Sequence, residues 1–137
     1  MPAGYSKTPL SKKLGIKSGY QMLLFNTPKN YYKLLVDLPE DVNELKGIKS
    51  KSADFIHLFF QFNSDLESKV PKYKEALKMN GMLWISWPKG SSKIETDLNR
   101  DLIRNYVLSQ GLVDTKVAAF DEDWSGLKFV YRLKDRK

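Results

Sequence analysis

The hydrophobic positions of the chain fall into short dense blocks and into longer stretches with helical spacing. Residues 20–25 (YQMLLF), 55–60 (FIHLFF) and 82–87 (MLWISW) are nearly unbroken apolar runs. Gly19 and Asn26-Thr27-Pro28 bound the first, and Asn80-Gly81 and Pro88 bound the third. Runs of this length between turn residues predict strands buried on both faces. Segment 30–38 instead places Tyr31, Leu34, Leu35 and Leu38 at helical spacing before Pro39. Segment 64–80 does so with Leu66, Val70, Tyr73 and Leu77. Asn80-Gly81 is a stop for it, and Pro71 is expected to split it or to start its second half. Leu98, Leu102, Ile103, Tyr106 and Val107 predict a further helix, capped by Thr96 or Asp97 and ended by Gly111.

The two ends of the chain carry turn chemistry. Thr8-Pro9 and Gly15 frame one or two helical turns over 9–14, followed by a turn at Ser18-Gly19. Segments 113–120 and 127–133 predict a hairpin around Asp121-Glu122-Asp123-Trp124-Ser125-Gly126. In its second strand Leu127, Phe129, Tyr131 and Leu133 alternate with Lys128, Val130 and Arg132, as on a sheet with one partly wet face. Residues 39–54 scatter Val42, Leu45 and Ile48 among polar residues and fit an edge strand or a loop equally. There is no internal repeat and no low-complexity tract.

Buried strands alternating with helices predict an α/β fold: a Rossmann-like three-layer sandwich, mostly parallel, ending in an antiparallel hairpin. The order resembles the later two-thirds of a class I methyltransferase sheet, so the expected fold is a truncated version of it. A single domain over 1–137 is expected, with 1–19 as a basic N-terminal arm packing on it through Tyr5, Leu10 and Leu14. Three stretches, GYSKTPLSKKLGIKSG at 4–19, GMLWISWPKGSSKIETDL at 81–98 and DEDWSGLKFVYR at 121–132, resemble a group of small bacterial proteins known as a domain of unknown function. The resemblance implies the same methyltransferase-like fold and leaves the chemistry open.

Composition narrows the chemistry. The 137 residues contain no cysteine, which excludes disulfides, thiolate metal sites and a cysteine nucleophile. One histidine, His57, lies mid-strand with no Cys or Ser close in sequence, so it reads as a core histidine and not as part of a triad. A net charge of +7 is a mild basic bias. No apolar leader is present, and no run approaches the ~20 residues of a membrane span, so the default location is cytoplasmic, with no membrane partner. The fold would imply S-adenosylmethionine as cofactor. Yet the segment after the first strand, Asn26-Thr27-Pro28-Lys29-Asn30, lacks the glycines that let backbone approach a ligand. Only Glu40, Asp41 and Glu44 offer an acid for a ribose, which argues against binding in the usual manner.

Ligands of open α/β sheets sit beyond the carboxyl ends of the strands. Three loops should meet there, offering Asn26, Thr27, Asn63, Trp87, Lys89 and Ser91 to an anionic or nucleotide-like small molecule. The plainer alternatives are that Asn26, Thr27, Asn63 and Ser64 cap helices, that Lys89–Lys93 is a solvated loop, and that Trp87 packs in the core. A second group, Tyr5, Lys12 and Lys13, would reach an anion if the N-terminal arm folds over the strand ends. A third, Asp121 with Trp124, offers carboxylates, although a tight turn relieved by Gly126 explains it without a metal. No metal site and no catalytic set is assigned. Lysines at 7–17, 46–51 and 69–78 leave a nucleic-acid or protein interaction module as a further alternative. Nothing in the sequence signals an oligomeric state.

Overall fold

The computed structural model describes residues 8–136. Its elements are helix α1 (Leu10–Leu14), strand β1 (Gln21–Phe25), helix α2 (Tyr31–Leu34), strands β2 (Asn43–Glu44) and β3 (Ala53–Phe59), helix α3 (Asn63–Lys74), strand β4 (Leu77–Pro88), helix α4 (Arg100–Ser109), and strands β5 (Leu112–Val117) and β6 (Trp124–Tyr131). The six strands form one sheet in the order β2-β1-β3-β4-β6-β5. β2, β1, β3 and β4 are parallel, while β6 runs antiparallel to both β4 and β5. The chain winds from β1 outward to β2, then crosses back to β3 on the other side, so strand order reverses between β1 and β3. Against the doubly wound order 3-2-1-4-5-6, the truncation falls on an outer strand of the first wing. The opening strand of the sheet is present.

The sheet separates two apolar layers. On one side Leu23, Ile56, Leu58, Leu83, Ile85 and Trp87 pack under Leu66 and Val70 of α3 and Ile103 and Val107 of α4. On the other, Met22, Phe55, Phe59, Met82 and Trp84 meet Leu14 and Ile16 around α1 and Tyr31 and Leu35 around α2. Gly15, in the left-handed region at φ 89°, stops α1 as its sequence position suggests; the Ile16 N–H returns to the Ser11 carbonyl at 2.9 Å. The Leu14 carbonyl then accepts from Trp84 Nε1 at 2.8 Å, which ties α1 to the middle of β4.

Several elements differ from the sequence pattern. Segment 30–38 forms only one helical turn, because Leu35 and Leu38 are reached by further turns. Residues 39–54 contribute the two-residue edge strand β2 and the first two residues of β3. Leu77 and Asn80-Gly81 belong to β4: an added Cβ at Gly81 would sit 3.0 Å from the Ala53 and Asp54 carbonyls, beside an irregularity in the β3–β4 register. Asn99, not Thr96 or Asp97, caps α4, accepting from the Leu102 N–H at 2.9 Å. Trp124, Ser125 and Gly126 lie within β6, and Gly126 is required by close approach: a Cβ there would stand 2.9 Å from the Ala118 carbonyl.

Pro71 neither splits α3 nor starts a second helix. A proline lacks the N–H that would bond the carbonyl four residues earlier, here Glu67. Tyr106 of α4 supplies the missing donor, its hydroxyl reaching the Glu67 carbonyl at 3.2 Å. Tyr106→Phe is therefore expected to lower stability by about 1 kcal/mol in urea unfolding. The same change in a Pro71→Ala background should cost clearly less, since the alanine N–H takes over the carbonyl. Equal costs in both backgrounds would disprove this coupling.

Candidate functional site

The parallel strands bring the loops after β1, β3 and β4 to one rim, and antiparallel pairing adds the start of β6, with Trp124 opposite Pro88. At the end of β1, Asn26 adopts φ 56°, a left-handed conformation that asparagine tolerates better than most residues. Its side chain caps no helix. It crosses the strand-order reversal, Nδ2 donating to the Phe59 carbonyl of β3 at 3.3 Å. Thr27 is half-buried beside it. One strand further out and lower on the sheet, Glu44 ends β2 beside Met22 of β1, and its Oε1 accepts a hydrogen bond from the Tyr32 hydroxyl. Burial and this carboxylate raise the Tyr32 pKa well above its ordinary value, so the hydroxyl stays a donor.

The rim over β3 and β4 is covered by the segment that joins β4 to α4. Gln61 Nε2 donates to the Glu95 carbonyl at 3.0 Å, and the Thr96 hydroxyl donates to the Gln61 carbonyl. Asp97 accepts from the Asn63 N–H at 2.8 Å, so a remote carboxylate serves the start of α3. Asn63 uses only its backbone here; its side-chain Oδ1 is buried without a hydrogen-bond partner, an acceptor that an incoming donor would satisfy. At the other end of the segment the Lys89 N–H donates to the Asp123 carbonyl at 2.8 Å, and Ser92 Oγ to Asp123 Oδ1 at 2.9 Å. Lys89 is half-buried and Ser91 exposed.

Other candidate residues lie elsewhere or serve the fold. Trp87 is 7% exposed and packs in the core on the α3–α4 side of the sheet. Lys12 and Lys13 belong to α1, which lies against the sheet face at Trp84 and not over the strand ends. Tyr5 lies outside the described residues. Asp121 Oδ1 accepts from the Asp123 and Trp124 N–H groups at 2.8 and 2.9 Å, as an aspartate closing its own turn does. Trp124 is half-buried, edge-on to Phe59 at 5.2 Å between centroids.

Beneath the rim lies a polar chain that the sequence pattern does not announce. Tyr31 Oη is 3.0 Å from His57 Nδ1, and His57 Nε2 is 2.8 Å from Ser86 Oγ. The expectation of a core histidine holds, but its supposed lack of a serine neighbour does not. Two-residue alternation puts His57 and Ser86 on the same sheet face from adjacent strands, and the turn at α2 adds Tyr31. All three are buried among Phe55, Phe59, Trp84 and Phe120. In either tautomer one ring nitrogen donates and the other accepts, so the neutral ring is fully satisfied. Burial pushes the His57 pKa down to about 3. With no exposed surface, Ser86 meets no substrate, and the chain serves as a satisfied polar seam.

No family model and no curated protein matches the sequence. Solved structures do match the fold. The ribosomal protein L11 methylase from Lactobacillus delbrueckii subsp. bulgaricus superposes with a TM-score of 0.59 at 12% identity, over 90% of this chain and 75% of that one. A TehB-like SAM-dependent methyltransferase from Corynebacterium glutamicum gives 0.58 at 11% identity, over 95% and 91%. A SAM-dependent methyltransferase from Aquifex aeolicus gives 0.55 at 16% identity, over 88% and 86%. The chain therefore has a class I methyltransferase-like Rossmann fold. Among the described residues no helix is long and apolar enough to cross a membrane.

The low His57 pKa makes a pH prediction. An unfolded histidine titrates near 6.5, whereas the folded ring stays neutral to about pH 3. Below pH 6.5 the unfolded state alone binds the proton, so stability is full above 6.5 and falls as pH drops toward 3. Urea unfolding should show wild type losing up to about 1.4 kcal/mol per pH unit more than His57→Gln between pH 6 and 4. Parallel profiles would show that the ring is not desolvated.

Proposed function

We propose that the chain binds a nucleoside-bearing small molecule over the ends of β1, β2 and β3, through Asn26, Thr27 and Glu44. The observation that carries this reading is the place of Glu44: the exposed last residue of a strand parallel to β1, level with Met22 and one strand out from the reversal of strand order. In doubly wound sheets an acid there accepts the hydrogen bonds of ribose hydroxyls. Tyr32 fixes Oε1 and leaves Oε2 for the ligand. An anionic group on the same ligand would find Lys89 and Ser91 on the adjoining segment, and the unpartnered Asn63 Oδ1 offers a further acceptor. On this reading the chain belongs with the small bacterial group that its three stretches resemble.

The fold match favours S-adenosylmethionine, but the residues at β1 do not fit it in the glycine-loop manner. Where glycine would let backbone approach the ligand, Asn26 has a side chain that already lies across to Phe59. The following helix has four residues and no side-chain cap, too short to present a set of free amides.

Calorimetric titration with adenosine, AMP and S-adenosylhomocysteine tests both readings. Adenosine and AMP are expected to bind, and Glu44→Ala should weaken each about tenfold or more, the worth of a hydrogen bond to a charged acceptor. Glu44 is exposed on an edge strand, so its variant should keep the wild-type urea midpoint. Absence of binding at millimolar ligand would end the proposal. S-adenosylhomocysteine binding a hundredfold tighter than adenosine would favour the methyltransferase reading instead.

A further inference from the structure

On the α1 side of the sheet, away from the rim, three lysines stand together, none of them in an ion pair among the described residues; the Asp41 carboxylate accepts from the hydroxyl of Ser18, the residue after Lys17. Lys128 of β6 lies opposite Trp84 on one side and opposite Lys116 of β5 on the other. Like charges directly across a strand pair are destabilising. Lys116 Nζ is held against α1 by the Lys13 carbonyl at 2.8 Å. Lys17 follows the stop of α1. Lys128 is half-buried, and its pKa is pushed below the ordinary lysine value, first by burial and then by the neighbouring Lys116 and Lys17 cations. The ion pairs among the described residues are Lys78–Asp54, Arg100–Asp101 and Arg104–Asp114, none of which reaches this patch. Helix α1 adds Lys12 and Lys13, and the sequence over 1–19 contains no acid. A half-buried ammonium kept beside two others is costly for the fold alone, and it is the arrangement a polyanion would offset.

We propose that Lys17, Lys116 and Lys128, with the lysines of α1, form a strip that binds the phosphate backbone of a nucleic acid. Lys12, Lys17 and Lys116 are exposed and Lys13 and Lys128 half-buried, so the ammonium groups lie at the surface, which suits a chain of phosphates better than a single enclosed anion. Contacts to phosphates alone carry no base readout, so binding is expected to be independent of sequence. It uses a different face from the nucleoside site and stands without it.

Fluorescence anisotropy with a labelled 20-nucleotide single strand and with a duplex, across 50 to 200 mM salt, tests the strip. Wild type should bind at least one of them at 50 mM salt, with affinity falling steeply as salt rises. Lys17→Ala and Lys128→Met should each weaken binding several-fold and reduce the log–log salt slope by about 0.7 to 0.9, one phosphate contact apiece. Lys128→Met should at the same time raise the melting temperature, because it removes the like-charge contact, a combination that general unfolding would not produce. The proposal is overturned if neither nucleic acid binds, if both variants keep the wild-type affinity and slope, or if 10 mM inorganic phosphate displaces the nucleic acid at constant ionic strength. The last result would mark a site for a small free anion.

Discussion

Parallel pairing of β1 with β3 is the constraint from which the rest of the molecule takes its shape. Met22 through Phe25 run beside Phe55 through Leu58 in unbroken register, so both strands deliver their following loops to the same rim. The chain leaves that pair in opposite directions, to β2 on one side and to β4 on the other, which makes the junction the place where the parallel strands reverse their order. Asn26 bridges it, and Asp54 steadies the opposite end, accepting from the Gln21 N–H at 2.9 Å and from the Lys78 ammonium at 3.1 Å. A slip of one residue in this pair would turn Phe55, His57 and Phe59 to the wrong layer.

That layer shows why a polar seam survives in an apolar core. An unpaired imidazole buried among phenylalanines would cost several kcal/mol. Tyr31 and Ser86 satisfy both ring nitrogens, and the surrounding rings exclude water, so the neutral form is kept. The seam also places α2. Tyr31 is anchored by His57 and stacked on Phe120 at 5.2 Å. Its neighbour Tyr32 then faces outward to hold Glu44. The residue that makes the inner hydrogen bond and the residue that holds the proposed ligand acceptor are thus neighbours in one helical turn.

Much of this was legible in the sequence. The three apolar runs became β1, β3 and the inner part of β4, and the terminal hairpin and α/β order followed from the pattern. Periodicity misread 77–81 because Leu77 continues the helical spacing of Leu66, Val70 and Tyr73, while in space it pairs with Ala53. It read Pro71 as a break because the compensating donor, Tyr106, comes from another helix. The rim was predictable from strand direction, but the roles on it were not. Asn26, Thr27 and Asn63 looked alike as cap residues, and only the backbone turn at φ 56° and the reach to Phe59 distinguish Asn26. Glu44 was one acid of three in the least patterned segment; its pairing with β1 singles it out. Trp87 carried no sign of which side of the sheet it faces.

The central claim is that a nucleoside meets this protein at the junction of β1, β2 and β3. Titrating adenosine into isotopically labelled protein and following backbone amide resonances tests it residue by residue. The largest shifts are expected at Asn26, Thr27, Glu44 and Leu45, with Lys116 and Lys128 unmoved. Shifts confined to the α1 side of the sheet, or an unchanged spectrum at millimolar adenosine, would contradict it.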